Sequence, residues 1–313
     1  MTSGAPNVVV VAGPTASGKS ALAICLAEAL NGVVINADGI QCYRDLPILT
    51  ARPSDSDERR VPHRLYGFLE PTAILSATDW AGRAATEIKT VIAAGQRPIL
   101  VGGNGFYLKA LMEGLSDIPP VPDDVRAETR RLLEEIGAPA LHARLAERDP
   151  VTAARLKPGD TQRIGRAWEV LEATGTSISA WQAQPAKPPL AANYVSLLVQ
   201  PEREALYQSC DARFLMMLEA GALIEVVALG KTGVPVDAPV MRALGATELA
   251  AVAAGKLELA AAVSLAQAAT RQYAKRQTTW FRNQFRADYR IETKFLESLF
   301  QNIFPEIRHL VLT

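Results

Sequence analysis

The 313-residue chain is 49% apolar and 21% charged, an ordinary globular make-up with room for one large core or two domains. Its formal net charge is zero, so any contact with nucleic acid has to come from a local patch and not from a global field. Cys25, Cys42 and Cys210 form no C-x-x-C pair, which argues against a disulfide framework or zinc site and suits a reducing cytoplasm, with buried hydrophobic roles expected.

No basic segment precedes the first apolar run, so no signal peptide is expected. That run, VVVV at 8–11, reads as a short buried strand. It leads into Gly13, Pro14, Thr15, Ala16, Ser17, Gly18, Lys19 and Ser20, spelling G-x-x-x-x-G-K-S. Leu22, Leu26 and Ala29 continue at helical spacing. Strand, glycine loop and helix together are the setting a P-loop requires. Backbone N–H groups and the helix N-terminus face phosphate oxygens, Lys19 adds a charge, and the Ser20 hydroxyl suits Mg²⁺. The loop binds a di- or triphosphate, and on these residues alone either transfer or departure of the phosphate is open.

A second strand, 33–35, ends just before Asp38, where open α/β sheets bind ligands. Asp38 can be a general base, a magnesium ligand or a helix N-cap. His63, in VPHRLYG, reads as a loop histidine beside the substrate region, with no second histidine near enough to suggest a metal. A third strand, 98–102, runs into GGNG with Asn104, a turn that brings backbone close to a ligand. The alternation of strands and helices means βαβ units and a parallel sheet.

Two proline-rich stretches, 116–124 and 182–194, bracket a charged, Ala- and Leu-rich segment without strand signal, read as a hinged, all-helical insert. Within it Ile164, Ala167, Trp168 and Leu171 mark one apolar helix face. Asp160 or Thr161 caps that helix and Gly175 ends it. A core strand returns at 194–201, and the remainder is mainly helical. The tract 250–269 is broken by Lys256 and Glu258 and cannot span a membrane. From Arg271 to Arg290 positive charge dominates. On a helix Arg271, Lys275, Arg282 and Arg286 share a stripe, with Tyr273 and Trp280 opposite, a pattern that suits an RNA phosphate backbone or a solvated face. The divisions are 1–121, a P-loop α/β core; 122–185, the insert; and 186–313, the returning strand with a basic helical part.

Taken together, GPTASGKS, NADGIQCYRDLPILTARP, VPHRLYG, LVGGNGFYLKALMEGLSDIP, DTQRIGRAWEVLEATG and TRQYAKRQTTWFR resemble the tRNA dimethylallyltransferases, also called tRNA isopentenyltransferases. The resemblance runs through nearly the whole chain. It implies transfer of a dimethylallyl group from its diphosphate to the exocyclic amine of the adenosine 3′-adjacent to a tRNA anticodon, with Mg²⁺ as cofactor. It makes Asp38 the base, Thr15 to Ser20 the diphosphate site and Arg203 a diphosphate-contacting arginine. Asp38, Gly39, Ile40, Gln41, Asn104, Arg126, Gln162, Arg163, Ile164, Gly165, Arg166 and Arg242 become tRNA contacts, beside Arg271, Lys275 and Arg282. A cytoplasmic monomer acting on the anticodon stem-loop, away from membranes, is expected. Gly39, Leu49, Asn104, Arg64 and Ala246 depart from the family's usual Ser, Gly, Thr, His and Tyr. A small-molecule P-loop kinase, a prenyltransferase acting on free AMP, and a non-catalytic RNA-binding protein with a relict P-loop remain the alternatives.

Overall fold

In the computed structural model, which describes residues 6–312, the valine run is β1 (Asn7–Ala12), followed by α1 (Lys19–Leu30) and β2 (Gly32–Asn36). The expectation about the first few residues lies outside this range. The chain continues through α2 (Asp55–Arg60), β3 (His63–Arg64), α3 (Ala77–Ala93), β4 (Arg97–Gly102) and α4 (Gly105–Met112). A separate helical unit carries α5 (Asp123–Arg148), α6 (Pro150–Ala153), α7 (Thr161–Thr174) and α8 (Ile178–Gln182). The first unit then resumes with β5 (Asn193–Val199), α9 (Arg203–Glu219), α10 (Ala222–Lys231), α11 (Ala246–Ala253), α12 (Leu259–Gln284), β6 (Tyr289–Ile291) and α13 (Phe300–Leu312).

All six strands pair in parallel, in the order β3-β2-β4-β1-β5-β6. β1 is central, with Val9 opposite Ile99 on one side and Val195 on the other. Val8 to Ala12 are fully buried, which is why the strand is apolar throughout instead of alternating: helices cover both faces of a parallel sheet. Because β1 has β4 and β5 as neighbours while its own helix leads on to β2, the loop after it opens at a point where the strand order reverses, the usual ligand position.

The edge strands β3 and β6 are two and three residues long, too short to show a period in sequence. β6 also corrects the basic stripe. Helix α12 stops at Gln284, Phe285 turns extended (φ −122°, ψ 122°), and the chain is pinned to β5 by paired bonds. Ser196 N–H donates to the Asp288 carboxylate (2.7 Å), and Asp288 N–H to the Ser196 carbonyl (2.8 Å). Arg286 therefore lies beyond the helix, and Arg290 lies on a strand.

The helical unit spans Glu113–Pro188 and has two small apolar clusters, one around Leu145, Ala153 and Leu171, the other around Ala138, Leu141 and Ile164. Asp160 caps α7 by accepting from Arg163 N–H, and Gly175 closes it in the left-handed region (φ 67°). Helix α5 breaks at Gly137, whose backbone is not helical. Among the described residues no helix is long and apolar enough to cross a membrane, and the three cysteines are free and buried.

Candidate active site

The loop between β1 and α1 is held from three sides. Gly18 sits at φ 93°, and a β-carbon there would lie 2.3 Å from the Phe295 carbonyl, so only glycine lets the chain after β6 pack against the loop. Phe295 N–H also donates to the Ser17 carbonyl at 3.0 Å. Ala16 holds a left-handed backbone (φ 63°), a local strain that its packing against Leu206, Cys210 and Ala274 offsets. Thr15 is engaged twice: its N–H donates to Gln277 Oε1 (2.8 Å), and its hydroxyl accepts from the Arg213 guanidinium. Of the expected phosphate-binding residues, Thr15 thus turns towards α9 and α12, and Ser17 N–H donates to the Pro14 carbonyl at 3.4 Å.

Lys19 Nζ donates to the Pro14 carbonyl (3.3 Å). Burial lowers its pKa to about 8. Asp38 acts in the opposite direction, the Arg213 charge adds to the lowering, and Cys210 raises it weakly. Burial lowers the Arg213 pKa too, with Cys210 and Asp38 supporting its charge. Lys19, Arg213 and Asp38 therefore form one electrostatic group: two cations at the phosphate loop and one carboxylate after β2 whose charge supports both.

Asp38 is carried by a turn after β2. Asn36, fully buried, accepts from Asp38 N–H (2.9 Å) and donates to the Asp38 carbonyl (2.9 Å) and the Leu65 carbonyl (3.0 Å). Its own carbonyl accepts from the Trp80 indole (3.1 Å). Asp38 Oδ1 accepts from Ile40 N–H (3.1 Å), a turn-closing bond, and no second hydrogen bond to its carboxylate occurs among the described residues. Burial pushes the phenols of Tyr66, Tyr107 and Tyr273 up, so they stay protonated; the negative Asp38 adds to this for Tyr66 and Tyr273 and, after Cys42 and Tyr43, for Tyr107. His63 donates from Nδ1 to the Val61 carbonyl (2.9 Å), and burial lowers its pKa, leaving a neutral ring.

Several expectations need correction. The GGNG turn meets side chains of α12 where a ligand had been expected: a β-carbon at Gly103 would sit 2.2 Å from Gln277 Nε2, and one at Gly105 would sit 2.1 Å from the Trp280 ring. Asn104 caps α4, its Oδ1 accepting from Tyr107 N–H (3.3 Å). Arg203 stacks on Tyr207 (5.2 Å to the ring centre) and bonds its hydroxyl (3.2 Å), so the arginine at the loop is Arg213 instead. Ile40 packs in the cluster of Tyr43, Leu46 and Leu49, and Gln41 spends its amide on the Thr50 and Ala51 carbonyls. Ile164 and Gly165 are buried inside the helical unit, while Gln162 and Arg163 are exposed. Arg166 lies 3.4 Å from Glu169, and Arg126 and Arg242 are exposed. Arg271 is paired with Asp211 (2.6 Å). Lys275 and Arg282 line a cavity of about 670 Å³ with Arg203, Tyr207, Arg290 and Thr293. Two departures, Leu49 and Ala246, are absorbed in one apolar cluster.

Arg213, Gln277 and Asn36 are the site residues that sequence reasoning missed. Each is a polar side chain set in a buried stripe. Arg213 falls among Leu206, Cys210, Phe214 and Met217 on α9, and Gln277 between Ala274 and Phe281 on α12. A polar residue at such a position has to find a partner, and that was the available signal.

The family described as IPP transferase matches residues 41–284. The chain belongs to this family. It is 54% identical over 286 residues to a tRNA dimethylallyltransferase of Rhodospirillum centenum, covering 91% of each chain. Among solved structures it is similar to a full-length tRNA isopentenylpyrophosphate transferase from Bacillus halodurans, with TM-score 0.70, 30% identity, and 99% and 97% of the two chains covered. It is also similar to a eukaryotic dimethylallyltransferase acting on tRNA, with TM-score 0.79, 26% identity, and 96% and 77% covered.

Proposed function

We propose that this enzyme, as a tRNA dimethylallyltransferase, transfers the dimethylallyl group of dimethylallyl diphosphate to the exocyclic amine of the adenosine 3′-adjacent to the anticodon, releasing diphosphate. The observation that carries the reading is the placement of one carboxylate, Asp38, just past the C-terminal end of β2, on the same edge of the parallel sheet as the phosphate loop after β1, which bears two cations, Lys19 and Arg213. A kinase needs the loop and its cations; a carboxylate held on a buried Asn36 scaffold among neutral phenols is what an amine acceptor needs.

The allylic C–O bond breaks with its electron pair going to diphosphate, and the amine lone pair forms the new C–N bond. Negative charge grows on the departing oxygen, where Lys19, Arg213, the amides of Ala16 and of Gly18 to Ser20, and the N-terminus of α1 stabilise it, Ser17 N–H being donated to the Pro14 carbonyl. The aryl amine is a weak nucleophile because its lone pair is delocalised, so Asp38 takes its proton during attack. To reach Asp38 the base leaves its stack.

Mg²⁺ fits the residues present. The Ser20 hydroxyl is exposed at the start of α1, and Ser17 Oγ is buried without a partner, giving hard oxygen donors beside a phosphate site. Among the described residues no set of three His, Cys, Asp or Glu is gathered for a metal, as suits an ion bound mostly through phosphate and water. Ser20 would hold the ion, which when bound supplies charge neutralisation on the leaving diphosphate. Exposed Lys275 and Arg282, and separately Gln162 and Arg163 of the helical unit, give the RNA backbone its contacts.

The test is incubation with bulk tRNA, Mg²⁺ and donor labelled in the prenyl chain, followed by digestion and identification of the labelled nucleoside. Label on adenosine N6 supports the reading. Transfer of terminal phosphate from ATP to a small molecule, without prenylation, overturns it in favour of a kinase; preferential labelling of free AMP overturns the tRNA assignment.

A further inference from the structure

Gln277 sits two turns from the C-terminus of α12 and is 6% exposed. Its amide makes two bonds, both to the ends of loops that face the ligand: Oε1 accepts from Thr15 N–H (2.8 Å), and Nε2 donates to the Gly103 carbonyl (2.9 Å). Thr15 belongs to the loop after β1 and Gly103 to the turn after β4, two strands that are neighbours in the sheet. The space for this bridge is reserved in the chain, because any β-carbon at Gly103 would overlap Nε2. Both hydrogen-bonding ends of the amide are used, so the side chain has one orientation.

We infer that Gln277 is a positioning residue for the reaction: it fixes the phosphate loop against the Gly103 turn and withdraws Thr15 N–H from the amides offered to diphosphate. The inference rests on the reading of this loop as the diphosphate site. A P-loop presents successive N–H groups to phosphate; with Thr15 N–H turned to Gln277 and Ser17 N–H donated to the Pro14 carbonyl, the set narrows to Ala16 and Gly18 to Ser20. By orienting Thr15, Gln277 also orients the hydroxyl that receives the Arg213 guanidinium, and with it the cation that meets the leaving group. The bond links α12, which carries Tyr273 near Asp38 and the exposed Lys275 and Arg282, to the phosphate loop. Loss of the bridge loosens both halves of the site without removing any group that touches substrate.

The first test uses the unaltered protein and inorganic pyrophosphate with Mg²⁺, read by site-resolved amide exchange. Thr15 N–H is expected to be protected before pyrophosphate is added and unchanged by it, while Gly18 and Lys19 amides gain protection. A Thr15 amide that exchanges freely, or that becomes protected only with pyrophosphate, overturns the inference. If pyrophosphate alters no loop amide while Thr15 is protected, it is the donor reading that fails.

The second test compares Gln277→Leu with Gly103→Ala, which keeps the glutamine but displaces it. Both are expected to raise KM for the prenyl diphosphate about tenfold and lower kcat by a similar factor, as for a small misplacement of catalytic groups, with tRNA Kd unchanged. In a Gln277→Ala background, Gly103→Ala is expected to add little, because the 2.2 Å overlap with Nε2 is gone and only the looser 3.1 Å approach to the Gly13 carbonyl remains. A merely structural residue would lower Tm and the titratable fraction of active enzyme while KM of that fraction stayed within about twofold of wild type; that result overturns the inference. So does additivity of the two changes in the double variant.

Discussion

Replacing Arg213 by Gln separates two effects that pull in opposite directions on the pH axis. Arg213 donates to the Thr15 hydroxyl and lies close enough to Lys19 for its charge to help depress the lysine. A hydrogen bond to a charged group contributes about 1.5–3 kcal/mol, so losing Arg213 from the leaving-group site should lower kcat/KM about 10- to 150-fold at neutral pH. The same change removes a positive neighbour from Lys19. Before donor binds, Lys19 is half-protonated near pH 8, and diphosphate binds the protonated form, so donor KM should climb above that pH in the wild type. Without Arg213 the lysine holds its proton more tightly, and this alkaline limb should move to higher pH even as turnover falls. Steady-state kinetics with saturating tRNA, run from pH 6.5 to about 9.5, reads both. The comparison variant is Arg203→Ala, whose guanidinium is occupied by Tyr207; its loss should cost less than that of Arg213 and leave the limb in place. An Arg213→Gln enzyme within about threefold of wild type, or one whose alkaline limb moves down, refutes the reasoning.

Asp38→Asn should lower kcat by about 10²–10⁴-fold while donor and tRNA binding survive, because Asn can still accept from Ile40 N–H. Raised Mg²⁺ should not restore turnover, and a variant keeping more than about a tenth of wild-type kcat would speak against Asp38 as base. Neutralising Lys275 and Arg282 should flatten the salt dependence of tRNA binding by about one log–log unit for each phosphate they no longer neutralise, whereas Arg271→Met should leave the slope near wild type because Arg271 is already paired with Asp211. Filter binding across a salt series distinguishes them, and an equal slope change for Arg271 would restore it to the RNA face. Glu225 accepts the N–H groups of Ile48 (2.8 Å) and Leu49 (3.0 Å), so Glu225→Ala should destabilise the protein by about 2–3 kcal/mol in urea unfolding, with no change in m.

The sheet was legible because its inner strands announce themselves. Val8 to Val11, Val33 to Ile35 and Ile99 to Val101 are continuous apolar runs, and being covered on both faces leaves no other composition open to them. The helical unit was legible through one capped, amphipathic helix, α7, whose Asp160 cap and Gly175 stop are local features. The edges were not. β3 and β6 owe their existence to neighbours: His63 and Arg64 pair with Val34 and Ile35, and the Asp288–Ser196 bonds recruit β6 from 92 residues away. Reading the basic run as helix to its end followed charge periodicity past the point where tertiary hydrogen bonds take over.

The site divides along the same line. Lys19 and Asp38 are visible because they sit at the C-terminal ends of β1 and β2, where local sequence predicts both the turn and the ligand. Arg213 and Gln277 reach Thr15 from 198 and 262 residues along the chain, and no spacing rule spans such distances. Their own helices still mark them. On α12 the buried stripe runs Ala262, Ala266, Thr270, Ala274, Gln277, Phe281, and an amide carried at that depth would be costly unless both its ends were bonded. On α9 an arginine occupies the equivalent place between Cys210 and Phe214. Charge on the solvent side of α12 drew attention to the face proposed to meet RNA. The uncharged residue on the opposite side is the one that reaches the phosphate loop. On the proposed function, the two faces of one helix serve the two substrates. Substitutions on the exposed face should act on tRNA binding, and those on the buried face on the donor, with Gln277 as the residue whose loss tells them apart.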